Sequence, residues 1–211
     1  MKGINFMSYD KLATEESIYK TITALKENGV DAEFVATKED ALGKIKELIP
    51  VGASVNNGSS KTLEQIGYID YLKAPGQPWQ NLKAGILAET DPVKQKAMRR
   101  QAVISDYYLG SVHGLTETGE MVIASNTGSQ LPAIVFTAAN IIFVVGAQKI
   151  VPTLAEAMKR LEEYVYPLED EQIMARTQTH TQISKIIIFK KENIRMGRKV
   201  KLLLVNEKLG F

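Results

Sequence analysis

The sequence contains no cysteine among its 211 residues. This absence excludes disulfide bonds, thiolate zinc sites and iron–sulfur clusters held by cysteines of this chain. There are only two histidines, His113 and His180, so a cluster of imidazoles around a transition metal is excluded too. We therefore expect no metal and no other cofactor to be bound by this chain.

Long apolar runs are also missing. No stretch approaches the roughly 18 residues that a membrane-spanning helix needs, and the beginning, MKGINFMSYDKLATEES, has no apolar signal core and no cleavage-site pattern. We expect a cytoplasmic chain without a membrane span, and the lack of cysteine is compatible with that location. A composition of 45% hydrophobic and 24% charged residues predicts a single domain over residues 1–211.

An excess of one charge is almost absent, because the net charge is only +2, but the basic and acidic residues are unevenly distributed along the chain. Eight of the 26 basic residues lie in residues 182–211 beside two acidic ones, which leaves 18 basic and 22 acidic residues in the first 181 positions. A basic end can contact nucleic acid. No aromatic residues interleave with these charges as stacking platforms, so we interpret the end as a solvated hairpin and expect no nucleic-acid partner.

Helix and strand patterns alternate along the first half. Residues 15–28, EESIYKTITALKEN, have apolar residues at helical spacing. Thr37 with Asp40 three residues later is a capping-box variant that begins a second helix. AEFVA and VGASVNN indicate strands, TLEQIGYIDYL indicates a helix, and Asp91 followed by Pro92 predicts the start of another helix, VKQKAMRRQAVIS.

The second half repeats the alternation. DYYLGSV and EMVIAS are expected to pair as antiparallel strands about the turn TETGE, and NIIFVVG is typical of a central strand covered on both faces. KIIIFKK and KVKLLLVNE are expected to form a C-terminal strand pair within residues 182–211. With an N-terminal helical segment over residues 1–30, the pattern predicts a three-layer α/β fold: a mixed, mainly parallel sheet between helices.

Three polar segments fall where open α/β sheets bind ligands, after the carboxyl ends of strands. The first is a strand-to-helix junction in which Gly58 permits a tight turn. It departs from the Walker phosphate loop, because Ser59 rather than a lysine follows Gly58. An anion cradle and plain helix capping both explain it. Its candidate ligand-binding residues are Asn57, Gly58, Ser59, Ser60, Lys61 and Thr62.

The second segment is GSVHGLTETGEMVIASNTGSQLP, which separates two apolar stretches. Glu117 is either a reactive carboxylate, acting as general base or nucleophile, or an exposed turn residue. His113 is either catalytic or structural. The segment lacks the Gly-x-Ser-x-Gly nucleophile spacing, and no Gly-x-Gly-x-x-Gly dinucleotide loop begins a helix in the chain. Further ligand-binding candidates here are Thr116, Asn126, Thr127, Gly128 and Ser129.

The third segment is GAQKIV, in which Lys149 follows the apolar strand NIIFVVG. A lysine at this position either holds a phosphate or carboxylate as a point charge or is simply solvated. Because strand ends in this alternation face the same side, we expect residues 57–62, 113–117 and 126–129 to line one concavity together with Lys149.

Five blocks, which include these segments, resemble a known family: IPVGASVNNGSSKTLEQIG, DYYLGSVHGLTETGEMV, NTGSQLPAIVF, VVGAQKIVPTLAEAMKRLEEYVYPL and KLLLVNEKLGF. They resemble the LUD-domain family, the lactate-utilization proteins, over nearly the whole chain. The resemblance implies a fold similar to the ribose-phosphate isomerases and CoA transferases. It also implies a bacterial cytoplasmic protein linked to the oxidation of L-lactate to pyruvate beside iron–sulfur partner proteins.

The chain departs from this family at two places. Relatives of this length often carry a cysteine-rich insert after the segment matching YPLEDEQIMART, where this chain has QTHTQISK. The family's TGN also becomes Thr127, Gly128 and Ser129, which removes one side-chain amide. The resemblance supplies no established catalytic residue.

Three functions remain open from the sequence. One is an accessory or subunit protein of L-lactate utilization whose redox centres lie on partner chains. Another is a stand-alone enzyme that acts on a sugar phosphate or CoA ester through Glu117. The last is a non-catalytic module that binds or senses a small anion. All three imply a small anionic ligand, a carboxylate, phosphate or CoA ester, and the sequence leaves a homo-oligomer open.

Overall fold

The structure, a computed structural model that describes residues 9–211, contains two β-sheets, of which the larger is central. The strands of the larger sheet are β1 (Asp31–Val35), β2 (Ser54–Asn57), β3 (Gln80–Asn81), β4 (Tyr107–Gly110), β7 (Asn140–Gly146) and β10 (Lys199–Val205). They lie in the order β1-β10-β7-β4-β2-β3, and every neighbouring pair is parallel. The carboxyl ends of all six strands therefore lie at one edge of the sheet.

The smaller sheet has four strands in the order β8-β5-β6-β9. These are β5 (Gly114–Thr116), β6 (Met121–Ser125), β8 (Ile150–Val151) and β9 (Lys185–Phe189). β6 is antiparallel to β5 and β9, while β5 and β8 are parallel. The expected hairpin about TETGE thus exists, but its first strand is β5. The prediction that DYYLGSV forms it is wrong, because that stretch contributes β4 to the parallel sheet.

Helices cover both faces of the larger sheet. The α-helices are α1 (Glu15–Glu27), α2 (Lys38–Leu48), α3 (Lys61–Gln65), α4 (Tyr68–Lys73), α5 (Leu82–Ala88), α6 (Pro92–Gln101), α7 (Leu154–Arg160) and α8 (Tyr166–Thr177). A π-helical segment, Leu161–Val165, joins α7 to α8. The fold is the three-layer α/β arrangement that the sequence predicts, with the smaller sheet included in one outer layer.

The side chains of β7 show how the layers pack. Ile141 and Phe143 point into a core shared with α1 and the smaller sheet. Ile142 and Val144, on the other face of the strand, enter a second core shared with α2, α3 and α4. A third cluster joins the outer face of the smaller sheet to α7. Both faces of β7 are therefore covered, as its continuous apolar run predicts.

Local signals place several helix ends correctly. Thr37 and Asp40 form a complete capping box at the start of α2, and Asp91 caps α6 ahead of Pro92. The single helix expected for TLEQIGYIDYL is wrong, because Gly67 adopts φ +77° and divides it into α3 and α4. Such a left-handed residue ends one helix and redirects the chain into the next.

The two last strands exist, but they do not form the expected C-terminal pair. β9 lies at the edge of the smaller sheet beside β6, whereas β10 lies inside the larger sheet between β1 and β7. Their side chains explain the separation. β10 is buried along most of its length, and β9 is exposed along most of its length, so only β10 fits a position covered on both faces.

The first part of the expected N-terminal segment, residues 1–8, lies outside the described residues. Residues 15–27 of that segment form α1, whose N-terminus is capped by Thr14. Within residues 9–211, no helix combines the length and apolar character needed to cross a membrane.

Candidate functional site

A cavity of about 360 Å³ lies beyond the carboxyl ends of β2, β4 and β7. The segments that follow these three strands supply one wall. The other walls include part of the smaller sheet, the π-helical segment, α8, residues 181–183 and residues 210–211. The cavity therefore occupies the position where parallel α/β sheets bind ligands, and its volume is within the range of small-molecule sites, about 300–1,000 Å³.

The structure brings most of the predicted site residues into this one cavity. The predicted residues that line it are Gly58, Ser59, Ser60, Lys61, Thr62, His113, Asn126, Thr127, Ser129 and Lys149. Four others do not line it: Asn57, Thr116, Glu117 and Gly128. Asn57 and Thr116 are buried in the protein interior, and Gly128 supports its loop by donating its backbone N–H to the Ser125 hydroxyl at 2.9 Å.

Lys149 is the most unusual group of the cavity. Its side chain is only 3% exposed, so the solvated-lysine interpretation is wrong. Nζ donates to the Thr62 hydroxyl at 3.2 Å, the Ser111 hydroxyl at 3.2 Å and the Val112 carbonyl at 3.1 Å. All three acceptors are uncharged. Burial, together with the positive charge of Arg160, holds the pKa of Lys149 well below its ordinary value.

Arg160 lies behind this wall of the cavity and is fully buried. Its guanidinium donates to the carbonyl of His113 and lies over the rings of Tyr9 and Tyr164, at 5.9 and 5.2 Å from their centroids. Burial lowers the pKa of Arg160 to about 10, so it remains a cation at neutral pH. It supplies a fixed positive charge near both His113 and Lys149.

His113 is a neutral hydrogen-bond donor toward the cavity. Its Nδ1 accepts the backbone N–H of Ala124 at 3.0 Å, which assigns the proton of the neutral ring to Nε2. Nε2 has no hydrogen-bond partner among the described residues. Burial, Lys149 and Arg160 lower the pKa of His113 to about 3, so the ring stays uncharged near neutral pH.

The loop after β2 is shaped by a close approach. A Cβ atom on Gly58 would lie 3.0 Å from the hydroxyl oxygen of Tyr108, a cavity residue within β4. Glycine leaves room for that contact. In the same loop Ser60 caps α3 by accepting the Leu63 N–H at 3.3 Å, so the helix-capping interpretation of this segment is confirmed for Ser60.

The loop after β6 presents hydroxyls. Thr127 donates its hydroxyl to Ser129 at 3.0 Å, and the Ser125 hydroxyl donates to the Gln130 amide oxygen at 3.0 Å. Gly128 has φ +79°, which lets the chain turn back here. These side chains can donate to an anion after small rotations about their C–O bonds.

Several cavity residues are not among the predicted site residues: Tyr108, Ser111, Ser125, Gln130, Glu169, Gln182 and Gly210. Glu169, on α8, is half-buried, and burial raises its pKa against the opposing charge of Arg176. Ser111 sits beside His113 in a segment already singled out for its polar character, which is the one local signal available for it. Glu169 and Gln182 have no such signal, because only the tertiary fold brings α8 and residues 181–183 to the cavity.

Glu117 lies away from the cavity, so the expectation that it shares a concavity with Gly58 and Lys149 is wrong. Its carboxylate accepts the Ser17 hydroxyl at 2.7 Å and pairs with the Lys20 amine at 2.7 Å. These hydrogen bonds lower its pKa. The glutamate therefore joins the turn between β5 and β6 to α1. Gly119, with φ +85°, lies against the end of the same helix.

The chain matches known proteins in sequence and in structure. A sequence model described as the LUD domain matches residues 18–205. Among solved structures, the chain is similar to a DUF162 family protein from Deinococcus radiodurans at 13% identity. The alignment covers 93% of this chain and 100% of that one, with a TM-score of 0.49. No curated protein matches the chain.

Within residues 9–211, no group of three or more potential metal-ligating side chains is present.

Proposed function

The chain belongs to the LUD-domain family, and from this premise we propose that it is an accessory or subunit protein of L-lactate utilization whose cavity binds a small carboxylate. The family supports a protein related to lactate utilization. The finer assignment, including a bacterial cytoplasmic setting and redox centres on iron–sulfur partner chains, is our proposal. It agrees with a sequence that has no cysteine to hold such a cluster.

One observation supports the carboxylate ligand above the others: Lys149 lies buried at the cavity wall between the hydroxyls of Thr62 and Ser111. A small acid held here would meet an amine, hydroxyl donors and the Nε2–H of His113. Donors of this kind bind carboxylate oxygens. The fixed charge of Arg160 adds a favourable potential for an anion in a poorly hydrated space.

A stand-alone enzyme that uses Glu117 has weaker support, because that carboxylate is bonded to Ser17 and Lys20 outside the cavity. A phosphate or CoA ester remains the second candidate ligand. The hydroxyls of Ser59, Thr127 and Ser129 favour it, since all three line the cavity and can donate to phosphate oxygens.

Thermal unfolding with separate ligands tests the proposal. We expect L-lactate or pyruvate to raise the melting temperature, because a ligand that binds only the folded chain stabilises it by about 2.7 kcal/mol at a hundredfold excess over Kd. Ribose 5-phosphate and acetyl-CoA are the comparison ligands. The Lys149→Met variant should lose the response. The Lys159→Met variant changes an exposed lysine on α7 and should keep it.

Two results would contradict the proposal. A response to ribose 5-phosphate or acetyl-CoA alone would replace the carboxylate by the second class of ligand. No response to any of the four compounds in a folded protein would remove the cavity as a site for these anions.

A further inference from the structure

We propose that the amine of Lys149 forms a Schiff base with a small 2-oxo acid bound in the cavity. This inference rests on the proposed function, because it needs the cavity to hold a small carboxylate. It goes beyond that function by assigning covalent chemistry to one atom of the chain and by restricting the acid to one with a carbonyl group next to the carboxylate.

Among the described residues, no carboxylate accepts a hydrogen bond from Lys149. Its partners are two hydroxyl oxygens and one carbonyl oxygen, at 3.1 to 3.2 Å, and no ion pair of Lys149 occurs among the described residues. Lysines that serve structure in a protein interior are normally paired with a negative charge, since an isolated buried ammonium is costly. An unpaired lysine at a cavity wall therefore needs another explanation.

The surroundings favour the neutral, nucleophilic form of this amine over the ammonium. The side chain is almost fully buried, and the guanidinium of Arg160 adds a positive charge in the same region. Both effects disfavour the ammonium and hold the pKa of Lys149 well below its ordinary value. Lysines that attack carbonyl groups are activated in the same two ways, by an apolar setting or by a neighbouring cation.

The neighbours of the amine suit an acid with a carbonyl group. The hydroxyls of Ser111 and Thr62 lie close enough to pass a proton to or from the reacting atoms. The neutral His113 ring faces the cavity with its Nε2–H available for an oxygen that gains negative charge. The carboxylate of the acid can accept from the hydroxyls of the loop after β6.

The reaction balances without any further reagent. The nitrogen lone pair attacks the carbonyl carbon, a C–N bond forms, and the carbonyl oxygen becomes a hydroxyl by taking up the proton that the nitrogen loses. That hydroxyl then takes up the second proton of the nitrogen and leaves as water when its C–O bond breaks, while the nitrogen lone pair completes the C=N bond. An amine and a ketone give an imine and water, and nothing is oxidised or reduced.

Reductive trapping tests the inference. The wild-type chain is incubated with pyruvate, treated with sodium borohydride, and examined by intact mass measurement and peptide mapping. We expect one reduced pyruvyl adduct per chain, located on Lys149. L-lactate, which has a hydroxyl in place of the ketone, should give no adduct under the same conditions.

Two variants sharpen the assignment. Lys149→Met should lose the adduct. The control is Lys83→Met, since Lys83 is also a lysine whose pKa burial lowers, but it does not line the cavity. It should keep the adduct. If Lys149→Met fails to fold, the peptide map of the wild-type chain decides by itself.

Calorimetric titration with pyruvate separates this inference from the proposed function. Heat of binding without a trapped adduct, or an adduct on any other lysine, would overturn the Schiff base and leave the carboxylate site standing. Neither binding nor trapping would overturn both.

Discussion

The amine of Lys149 lies 3.2 Å from the hydroxyl of Thr62, although 87 residues separate them in the sequence. Both side chains are buried. The contact joins the segment after β7 to the first turn of α3, the helix that follows β2. The parallel sheet places the carboxyl ends of β7 and β2 at the same edge. A lysine that the sequence shows merely as a residue after a strand thereby becomes part of a cavity wall.

Because Lys149 is buried, the free energy of unfolding should change with pH in the alkaline range. The pKa of Lys149 in the folded chain lies well below its ordinary value of 10.5, so between those two values the unfolded state binds the additional proton. The free energy of unfolding should therefore rise with pH in that window, by up to about 1.4 kcal/mol per pH unit for one proton. Urea unfolding at a series of pH values below 10.5 measures this slope.

The Lys149→Met variant should show a flatter dependence, because methionine fills a similar volume and binds no proton. Lys159→Met is the control and should keep the wild-type slope, since Lys159 is exposed. Equal slopes in the wild type and in Lys149→Met would show that Lys149 is charged in the folded chain.

His113 should make the chain sensitive to acid. Its pKa is lowered from 6.5 to about 3 by burial, Lys149 and Arg160, so the unfolded state binds more protons between those values. The contribution of the neutral His113 ring to the free energy of unfolding is fully present above about pH 6.5 and is lost as the pH falls toward about 3. His113→Gln should remove this part of the acid sensitivity, and a glutamine oxygen can still accept the N–H of Ala124.

Unfolding by urea at neutral pH and at about pH 5 provides the measurement. His180→Gln replaces an exposed histidine and should lose stability in acid as the wild type does. If His113→Gln behaves like His180→Gln, the assignment of a neutral His113 ring with a lowered pKa is wrong.

Gly58 and Tyr108 should be energetically coupled. In Gly58→Ala the new Cβ meets the Tyr108 hydroxyl at 3.0 Å, and we expect a loss of about 1–3 kcal/mol of stability, as for other overpacked sites. Tyr108→Phe removes the atom that is met. The double variant should therefore lose less stability than the sum of the two single variants, by at least about 0.5 kcal/mol. Additive losses would mean that the loop after β2 moves away instead.

Glu117→Gln should leave ligand binding unchanged, because the carboxylate lies outside the cavity. Its pKa is lowered by hydrogen bonds from Lys20 and Ser17, so its stabilising effect is present above about pH 4.5 and is lost as the pH falls. At neutral pH the variant should lose about 0.2–1 kcal/mol, the usual value of a surface ion pair.

Glu120→Gln is the matched control for Glu117, since Glu120 lies in the same turn and also does not line the cavity. Thermal shifts with pyruvate should be the same in both variants and in the wild type. A response that disappears only in Glu117→Gln would restore this glutamate as a site residue.

The local features of the fold could be predicted from the sequence because they depend on neighbouring residues. The capping box of Thr37 and Asp40 and the proline after Asp91 act within one helical turn. The apolar run NIIFVVG has no polar face to expose, so it requires cover on both sides. The polar segments at strand ends are local features too, and ten of their candidate residues do line the cavity.

The separation of His113 from Glu117 required the tertiary structure. The two residues are four positions apart, and an extended strand carries its ends about 13 Å apart over that length. Sequence proximity suggested one site, but β5 runs from the cavity at His113 to the first turns of α1 at Glu117. Which end of a strand faces a ligand depends on the elements that pack against that end, and the local sequence pattern does not specify these tertiary contacts.

The sequence by itself determined the alternation of helices and strands, the turns and the polar segments, since each of these depends on residues a few positions apart. Only the tertiary structure decided that β9 and β10 enter different sheets and that Lys149 is buried with no negative partner among residues 9–211. The physical reason is the same in both cases. Strand pairing and desolvation depend on contacts between residues far apart in the chain, and these form only when the sheets, α8 and the loops close around one cavity.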